Sequence, residues 1–423
     1  MLLQGPVGPF FARLSRDLTD AGATVFKVNF NAGDWLFYPR NAMSFRQPLS
    51  EWPAYLDELL TTLNIEVVLL FGDCRGIHQA AHRIAIDRGL GVGVFEEGYL
   101  RPDFITLEQY GVNGHSKLPR NPLYYLNKSN LPELPHRALP SAYWTMVLWG
   151  FLYFSAGCLG AFAFPHYEHH RPMNALEALP WARSVWRKWW CRWTERKIMP
   201  VLTRKWSSKF FLVPLQVHND SQIFVHSPFD SIESFIVQVM TSFARQAPRN
   251  VALVLKHHPM DRGYTHYGRL ISRLADELGI KDRCFYVHDL HMPTLLKHAR
   301  GVVVVNSTTG LQALQKGVPV KVLGEAIFDM KGLCFSGELE AFWHRAPQSA
   351  PSRVLLQQFV RYLILRTQLN ASFYRAHAKP GTATGVQWTV RSWPINEEAL
   401  KSGPHLSATT GEGGSGSLEK ISA

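Results

Sequence analysis

Cysteine is scarce in this chain, and the cysteines present are too scattered to form a framework. Five occur among 423 residues, an odd number, and no two of them form a Cys-x-x-Cys pair. Disulfide scaffolds and structural zinc sites both need cysteines at close, regular spacing, so the sequence predicts neither. The composition fits a reducing compartment, and we expect no bound metal and no cofactor.

Several nucleotide-site and targeting signals are also missing. The glycine-rich turn at residues 5–9 has neither a Gly-x-Gly-x-x-Gly fingerprint nor the Lys-Ser or Lys-Thr of a P-loop, so nucleotide binding there is only weakly supported. No Asp-x-Asp triplet is present to hold a metal-bound diphosphate. The N-terminus lacks the basic region and long apolar stretch of a signal peptide, which predicts that the main body of the protein stays in the cytoplasm.

Acidic residues are outnumbered by basic ones, 33 against 45, which gives a formal net charge of +12. Such an excess implies an anionic partner, either nucleic acid, a membrane surface or a charged substrate. Residues 166–209 contain ten Lys or Arg against three Glu, interleaved with six tryptophans. This mixture is typical of a segment at an anionic lipid surface, although nucleic-acid-binding proteins also combine cations with aromatic rings.

The stretch just before that segment favours a membrane. Residues 141–164 contain no charged side chain and are rich in aromatic residues, and 24 residues are enough to cross a bilayer. Internal glycines and flanking prolines weaken a straight helix, so an interfacial or re-entrant hairpin and a true span both stay open. Because nucleic-acid binding would not explain an uncharged stretch, we expect a membrane surface and no nucleic acid as the partner.

The N-terminal part alternates between strand-like and helix-like segments. Strands are predicted near residues 1–3 and at 24–30, 67–71 and 92–95, and helices from Phe10, at 52–63 and at 78–87. This alternation is typical of an α/β domain with a parallel sheet covered by helices on both faces.

Paired carboxylates follow one of these strands. Glu96 and Glu97 come directly after the run at 92–95, where they would lie at the mouth of the sheet. Like charges at close range raise the pKa of one carboxyl toward the range of a general acid or base. The alternative is a structural ion pair with Arg101 or Arg75.

Two strands in the C-terminal part end in residues suited to an anion. The apolar run at 251–255 leads into Lys256 and His258, and the run at 301–305 leads into the turn at 306–310. Hydroxyls and free N–H groups at a strand-to-helix turn form an anion seat, so together the two loops predict a phosphate pocket. Taken singly, a His-Pro after a strand is more often turn chemistry than a ligand site, and a turn such as 306–310 is more often just a helix cap.

Asp220 lies in a loop after a predicted strand at 210–215, where a carboxylate can face a cleft between two domains. A helix cap is the alternative role for the same residue. Helices are also predicted at 231–247 and 352–368. The predicted division of the chain is an N-terminal Rossmann-like acceptor domain at 1–135, a membrane-associating insert at 136–209, a C-terminal Rossmann-like donor domain at 210–350, helices packing back on the first domain at 351–400 and a disordered tail at 401–423.

Several of these runs resemble a known family. Residues 4–11, 95–108, 215–223, 256–259 and 306–310 together resemble the KpsS/LipB family of capsular polysaccharide proteins, over most of residues 1–350. Two sheet-rich halves across a cleft also match the GT-B glycosyltransferase layout. The resemblance implies a retaining β-Kdo transferase that places the first Kdo, from CMP-Kdo, on a phosphatidylglycerol or lysophosphatidylglycerol acceptor, starting the lipid anchor of a Gram-negative capsule.

The resemblance also implies roles for particular residues. Asp220 would attack the anomeric carbon in a double displacement, Glu96 or Glu97 would take the acceptor proton, with Glu96 ranked first, and Arg101 would meet the Kdo carboxylate. The implied donor-binding residues are Arg101, Gln216, Lys256, His258, Pro259, Asn306, Ser307, Thr308, Thr309 and Gly310. The implied acceptor-side loop contains Gly5, Pro6 and Gly8.

Two other functions are consistent with parts of the sequence. A non-catalytic capsule export or assembly component would use the segment at 136–209 but not the polar strand ends. A nucleotide-sugar epimerase would use the strand ends but not that segment. The resemblance places the protein at the cytoplasmic face of the inner membrane, peripheral or monotopic, with other capsule transferases and export machinery as expected partners.

Overall fold

Two β-sheets organise the chain, and a helical segment runs between them. The computed structural model describes residues 1–128, 131–134, 137–169, 175–376 and 382–386. The predicted disordered tail at 401–423 and the last part of the predicted segment 351–400 lie outside these residues.

The N-terminal sheet is mixed, and a small parallel pair of strands accompanies it. Leu2 links the two by bridging to Lys27 on one side and to Leu69 on the other. The strands of the sheet are β3 (Val67–Phe71), β4 (Gly91–Glu97), β5 (Ile105–Gln109) and β11 (Gln368–Leu369), in the order β11-β5-β4-β3, and the pair is β1 (Val28–Asn29) with β2 (Met43–Ser44). The helices of this part are α1 (Phe10–Asp20), α2 (Ala32–Phe37), α3 (Trp52–Thr62), α4 (Gly76–Asp87) and α5 (Pro122–Leu126).

The C-terminal sheet is parallel throughout and almost wholly buried. Its strands β6 and β7 are apolar runs with every residue buried, as expected for strands covered on both faces. The strands are β6 (Phe210–Pro214), β7 (Ala252–Lys256), β8 (Cys284–Val287), β9 (Gly301–Val304) and β10 (Val320–Val322), in the order β10-β9-β6-β7-β8. The helices are α9 (Ser221–His226), α10 (Ile232–Gln246), α11 (Gly268–Glu277), α12 (Met292–His298), α13 (Thr309–Gln315) and α14 (Leu339–Arg345). The predicted α/β architecture of GT-B type, with two Rossmann-like domains, is confirmed.

The N-terminal sheet differs from the prediction of a purely parallel one. Strand β5 pairs antiparallel with β4, and β11 pairs antiparallel with β5. Strand β5 was not predicted from the sequence, because a charged residue, Glu108, interrupts its apolar pattern. Glu108 is nevertheless buried. Tyr99 and Ser116 donate hydrogen bonds to the two oxygens of that carboxyl, each at 2.5 Å, so the polar group is satisfied inside the protein.

The predicted insert at 136–209 divides its contacts between the two sheets. Helix α6 (Tyr143–Leu159) packs on α2, where Tyr153 closes over Gly33 so tightly that a Cβ there would lie 2.7 Å from the ring. Helix α7 (Ala178–Thr194) and helix α8 (Ile198–Arg204) follow, and Leu202 of α8 belongs to the core of the C-terminal sheet. Among the described residues, no helix has both the length and the apolar character needed to cross a bilayer.

The chain returns to the N-terminal sheet after the C-terminal one. Helix α15 (Arg353–Arg366) packs on α5, with Phe359 and Tyr362 edge-to-face against Tyr125. Strand β11 follows directly, and Gln368 bonds to the hydroxyl of Thr106 and the backbone N–H of Tyr99. Leu355 and Phe359 also pack in one core with β6 of the C-terminal sheet, so helix α15 joins both halves of the molecule.

We expect Tyr153→Phe to lower the free energy of unfolding by about 1–3 kcal/mol, because buried partners are left without a bond. The Tyr153 hydroxyl accepts from Asn31 at 2.7 Å and donates to Asp34 at 3.1 Å. Urea unfolding measures the change. Tyr143→Phe is the matched control on the same helix, since Tyr143 is exposed, and it should stay within about 0.5 kcal/mol of the parent. Equal losses of stability in the two variants would contradict the conclusion that the Tyr153 hydroxyl anchors α6 to α2.

Candidate active site

The end of β4 carries the two predicted carboxylates, and they differ in their partners. Glu96 accepts a hydrogen bond from the Glu97 backbone N–H at 2.8 Å. Glu97 instead accepts one from the Tyr374 hydroxyl at 2.8 Å. Arg101 donates to the Gly98 carbonyl at 3.1 Å and lies close enough to favour the charged form of Glu96. All three predicted residues therefore lie around one strand end.

Glu96 has the electrostatic character of a general base. Burial raises its pKa to about 7, and the neighbouring charge of Glu97 pushes in the same direction. A carboxyl with such a pKa changes protonation state close to neutral pH, where proton transfer to and from a substrate is efficient. Glu96, which the sequence analysis ranked first, therefore differs from Glu97 in its hydrogen-bond partner and carries a raised pKa.

The loop that follows β3 lies between Glu96 and the C-terminal sheet. A Cβ on Gly72 would lie 3.5 Å from a carboxylate oxygen of Glu96, and φ at Gly72 is +67°, which glycine adopts without strain. Two residues further on, the Cys74 thiol lies 3.7 Å from the side-chain amide of Gln222 on α9. This loop therefore joins the acidic strand end to the helix that begins after Asp220.

Asp220 is the N-cap of α9. One carboxylate oxygen accepts from the Gln222 backbone N–H at 3.0 Å, and the other accepts from the Gln216 side chain at 3.2 Å. The residue is half-buried and has the helix-cap role that the sequence analysis gave as its alternative. Gln216 fixes the carboxylate orientation from the end of β6.

The cation at the end of β7, Lys256, is buried. Lys256 is 5% exposed, and its ammonium donates to the His288 carbonyl at 3.0 Å. Burial lowers the pKa of Lys256 to about 8, so the side chain is mainly charged at neutral pH. His258 caps the short 3-10 helix Pro259–Asp261 by accepting from the Met260 N–H at 3.2 Å, and Pro259 is exposed.

The turn at 306–310 is built by its own hydroxyls. The Ser307 hydroxyl accepts from the Thr309 N–H and donates to the Thr309 hydroxyl, both at 3.2 Å, and Thr308 precedes α13 without a side-chain cap. Asn306 donates to the Gln222 carbonyl at 2.8 Å, which brings the turn against α9. Gly310 has a packing reason, because a Cβ there would lie 2.7 Å from the Phe328 ring.

Sequence reasoning missed a buried carboxylate beside this edge. Asp261 is fully buried, lies 2.5 Å from His218 Nδ1 and accepts a hydrogen bond from the Thr265 hydroxyl. Its position after the His-His-Pro run was the available signal. Next to it, Arg262 forms an ion pair with Asp289, at the end of the adjacent strand β8.

The predicted acceptor-side loop meets helix α6. Gly8 has φ of +109° and lies against Trp149, so a side chain there would be both strained and crowded. Pro6 is buried and Gly5 packs on Phe11. Gln4, which sequence reasoning passed over, accepts from Arg75 at 2.7 Å and so holds this guanidinium beside the loop.

A cavity of about 590 Å³ lies between the loop, α6, α7 and the segment after β7. Its walls are mainly apolar and aromatic, and cations from three elements also line it: Arg75, Lys188 and Arg262. Tyr374, which donates to Glu97, forms part of the lining. Asp289, which is ion-paired with Arg262, also lines the cavity and leaves Arg75 and Lys188 to meet a negative charge, so the cavity is suited to a ligand with an apolar body and an anionic group.

The arrangement defines a class before any relative is considered. Two Rossmann-like domains, joined where the loop after β3 contacts α9, follow the layout of GT-B-type proteins. A family model described as "Capsule polysaccharide biosynthesis protein" matches residues 66–374. The chain belongs to this family, as the sequence resemblance predicted.

Individual relatives agree with that assignment. The capsule polysaccharide export protein KpsS of Escherichia coli is 41% identical over 377 residues, covering 88% of this chain and 96% of that protein. The capsule polysaccharide modification protein LipB of Neisseria meningitidis serogroup A is 40% identical over 388 residues, covering 88% and 91%. A solved structure of KpsC from Thermosulfurimonas dismutans, a β-Kdo 2,7 transferase, is 17% identical, with a TM-score of 0.43 and coverage of 83% and 93%. That score is too low to support an argument about mechanism.

We expect Glu96→Gln to be more stable than the parent at pH 8 by about 1–3 kcal/mol. The folded-state pKa of Glu96 is raised from 4.5 to about 7, so the folded protein is increasingly penalised as pH rises through this window. The difference should be complete above about pH 7 and vanish near pH 4.5. Urea unfolding at several pH values measures it. Glu58→Gln, on the exposed surface of α3, is the control, and a pH-independent difference for Glu96→Gln would contradict the assignment.

Proposed function

We propose that the protein is a glycosyltransferase that transfers the first β-Kdo from CMP-Kdo to a phosphatidylglycerol or lysophosphatidylglycerol acceptor, with retention of configuration. Membership of a capsule polysaccharide biosynthesis family supplies the context. The observation that carries the proposal is the cavity, because its apolar walls and its cations fit an anionic lipid acceptor and its lining residue Tyr374 donates to Glu97 at the end of β4.

The lining matches the two parts of such a lipid. Met146 and Phe154 of α6 and Val185 of α7 offer apolar surface to acyl chains. Arg75 and Lys188 offer positive charge to a phosphate. Because Tyr374 connects the lining to Glu97, a glycerol hydroxyl held in the cavity would point toward the residues proposed to act on it.

The proposed chemistry is a double displacement. A carboxylate oxygen of Asp220 attacks the anomeric carbon of Kdo, the bond from that carbon to the phosphate oxygen breaks, and CMP leaves with the bonding electrons. The acceptor hydroxyl then attacks the same carbon from the other face, Asp220 is released, and two inversions give retention. Gln216, which bonds to Asp220, keeps the carboxylate oriented during both steps.

The remaining predicted residues act on the acceptor proton, the leaving phosphate and the Kdo carboxylate. Glu96, with its pKa near neutral, takes the proton from the acceptor hydroxyl. His258 and the hydroxyls of Ser307 and Thr309 bond to the leaving phosphate, and the buried charge of Lys256 stabilises it from behind. Arg101 pairs with the Kdo carboxylate. Every charge of the donor then has a partner in the cleft.

The exposed face of α7 supports a membrane location. Trp186, Trp189, Trp190 and Trp193 are each 52–64% exposed, which is far more apolar surface than a solvated helix normally shows. Exposed cations stand among them, and the Arg196 guanidinium lies over the Trp193 ring at 5.2 Å. Tryptophan with Arg or Lys favours the headgroup region of an anionic bilayer. This face supports our proposal that the protein associates peripherally or monotopically with the cytoplasmic face of the inner membrane.

The alternative is a non-catalytic role in capsule export or assembly. It is favoured by the description of the Escherichia coli relative as an export protein. The same membrane face and the same partners, capsule transferases and export machinery, would serve either function. Transfer activity separates the two.

Purified full-length protein with CMP-Kdo and short-chain phosphatidylglycerol should yield a lipid heavier by one Kdo, detected by mass spectrometry. Asp220→Asn should reduce this product by roughly three orders of magnitude or more, while CMP binding remains measurable by calorimetry. Absence of product from folded protein that binds vesicles would favour the export function.

Loss of helix capping must be separated from loss of the nucleophile. Ser231 caps α10 by accepting from the Ser234 N–H at 3.1 Å, at a distance from the cleft chemistry. Ser231→Ala should therefore cost about 1 kcal/mol of stability and leave the transfer rate near that of the parent. Normal turnover by Asp220→Asn would remove this residue as the nucleophile.

A triple variant with Arg192, Arg196 and Lys197 each changed to Gln should bind phosphatidylglycerol-containing vesicles roughly a hundredfold more weakly. Each cation near an anionic surface contributes about 1 kcal/mol. Vesicle sedimentation measures the partition. The control removes three exposed cations elsewhere, at Arg245, Arg249 and Lys316. If the two triple variants lost binding equally, net charge rather than the face of α7 would be responsible.

A further inference from the structure

A cluster of metal-ligating side chains lies at the junction of the two sheets, outside the chemistry proposed above. Cys74, His115 and His226 each offer one ligand atom, and these atoms lie within 4.8 Å of one another. The Cys74 sulfur is 3.8 Å from His226 Nε2. Zinc bonds of about 2.3 Å to sulfur and about 2.0 Å to nitrogen place two such ligands roughly 3.5 Å apart, so this pair is almost at the required spacing.

Carboxylates stand behind both histidines, as they do in metal sites. Asp73 Oδ2 lies 3.1 Å from His115 Nδ1, and the same carboxylate accepts from the Val112 N–H at 3.1 Å. Its other oxygen accepts from the Cys74 thiol at 3.3 Å. On the far side, Glu325 lies 3.7 Å from His226 Nδ1. Carboxylates on the second ring nitrogen fix the tautomer that leaves the first nitrogen free to ligate, which is the usual outer arrangement around zinc.

The surroundings are suited to binding a metal rather than only to packing. His226 is 2% exposed, so its ring is held in place among the other ligand atoms. The side chain of His115 is 47% exposed, which leaves a path for an ion to enter. The set of one thiol and two imidazoles favours Zn²⁺ over the oxygen-preferring Mg²⁺ or Ca²⁺.

The described residues contain a second cluster of possible metal ligands, whose side chains already bond to one another or to the backbone. Cys191, Glu195 and His288 are all buried. Both oxygens of Glu195 already accept from the His288 backbone N–H, at 2.9 and 3.0 Å, and one lies 2.6 Å from the ring. Burial also raises the pKa of the Cys191 thiol to about 11, away from the thiolate that a metal needs. This group fastens α7 to the end of β8.

We infer that Cys74, His115 and His226 bind a Zn²⁺-type transition-metal ion that ties α9 to the N-terminal domain. Cys74 and His115 follow β3 and β5 in one domain, whereas His226 ends α9 in the other. Three protein ligands leave a fourth position for water. Since α9 begins after Asp220, the ion would fix the helix that carries this residue, and occupancy would hold the two domains closed on each other.

Cobalt substitution tests the site independently of transfer activity. Chelator-treated full-length protein titrated with Co²⁺ should bind one ion per chain with a thiolate-to-cobalt charge-transfer band in the near ultraviolet. Cys74→Ser should abolish the band, and His115→Ala should weaken Zn²⁺ binding, measured by competition, at least about tenfold. Asp73→Asn should weaken it by about 10–100-fold. Zn²⁺ should raise the melting temperature of the parent and not that of Cys74→Ser.

Matched variants make each outcome decisive. Cys158→Ser, in α6, and Cys191→Ala should keep the band and the affinity of the parent. His115 is half-exposed and Cys74→Ser is a conservative substitution, so we expect both variants to fold. Circular dichroism checks that they do. Absence of a charge-transfer band in the parent, or a band that survives Cys74→Ser and disappears in Cys191→Ala, would overturn the assignment.

Discussion

The position of the cavity depends on the hydrogen bonds that the buried side chain of Gln4 makes. Its amide nitrogen lies 3.1 Å from Asp34 Oδ2, 3.2 Å from the Tyr153 hydroxyl and 2.8 Å from the Tyr167 hydroxyl, and its oxygen accepts from Arg75. Burying an amide without such partners would lower the free energy of unfolding by several kcal/mol, so the surrounding structure must supply them. These bonds hold α6 against the first strand region, and they place a guanidinium at the edge of the cavity.

The cations of residues 166–209 serve two separate purposes. Arg183 and Arg187 donate to backbone carbonyls of Gly263 and Arg262, at 2.5 and 2.8 Å, and thus fasten α7 to the loop after β7. Arg192, Arg196 and Lys197 instead remain exposed beside the tryptophans. Charge counted along the sequence does not distinguish these groups, because the difference lies in which carbonyls the fold brings within reach.

The sequence was most informative at strand ends. An apolar run followed by polar residues located Glu96 and Glu97 at the end of β4 and Lys256 at the end of β7, because a short apolar run is a local signal for a buried strand. It failed where a polar residue is satisfied by distant partners. Glu108 lies in a strand that the pattern did not predict, and nothing in the sequence indicated that Cys74, His115 and His226, which are far apart in the chain, come together. Such groups are brought together by tertiary contacts, which local patterns do not encode.

The two long helices of the central segment belong to different halves of the molecule. Trp149 of α6 donates to the Tyr374 carbonyl at 3.1 Å, on the N-terminal side, whereas α7 is fastened to the C-terminal side through Arg183 and Glu195. Rings of Phe154 and Trp181 meet where the helices cross, with centroids 5.9 Å apart. Because each half holds one of these helices, any change in the angle between the halves would also change the width of the cavity between α6 and α7.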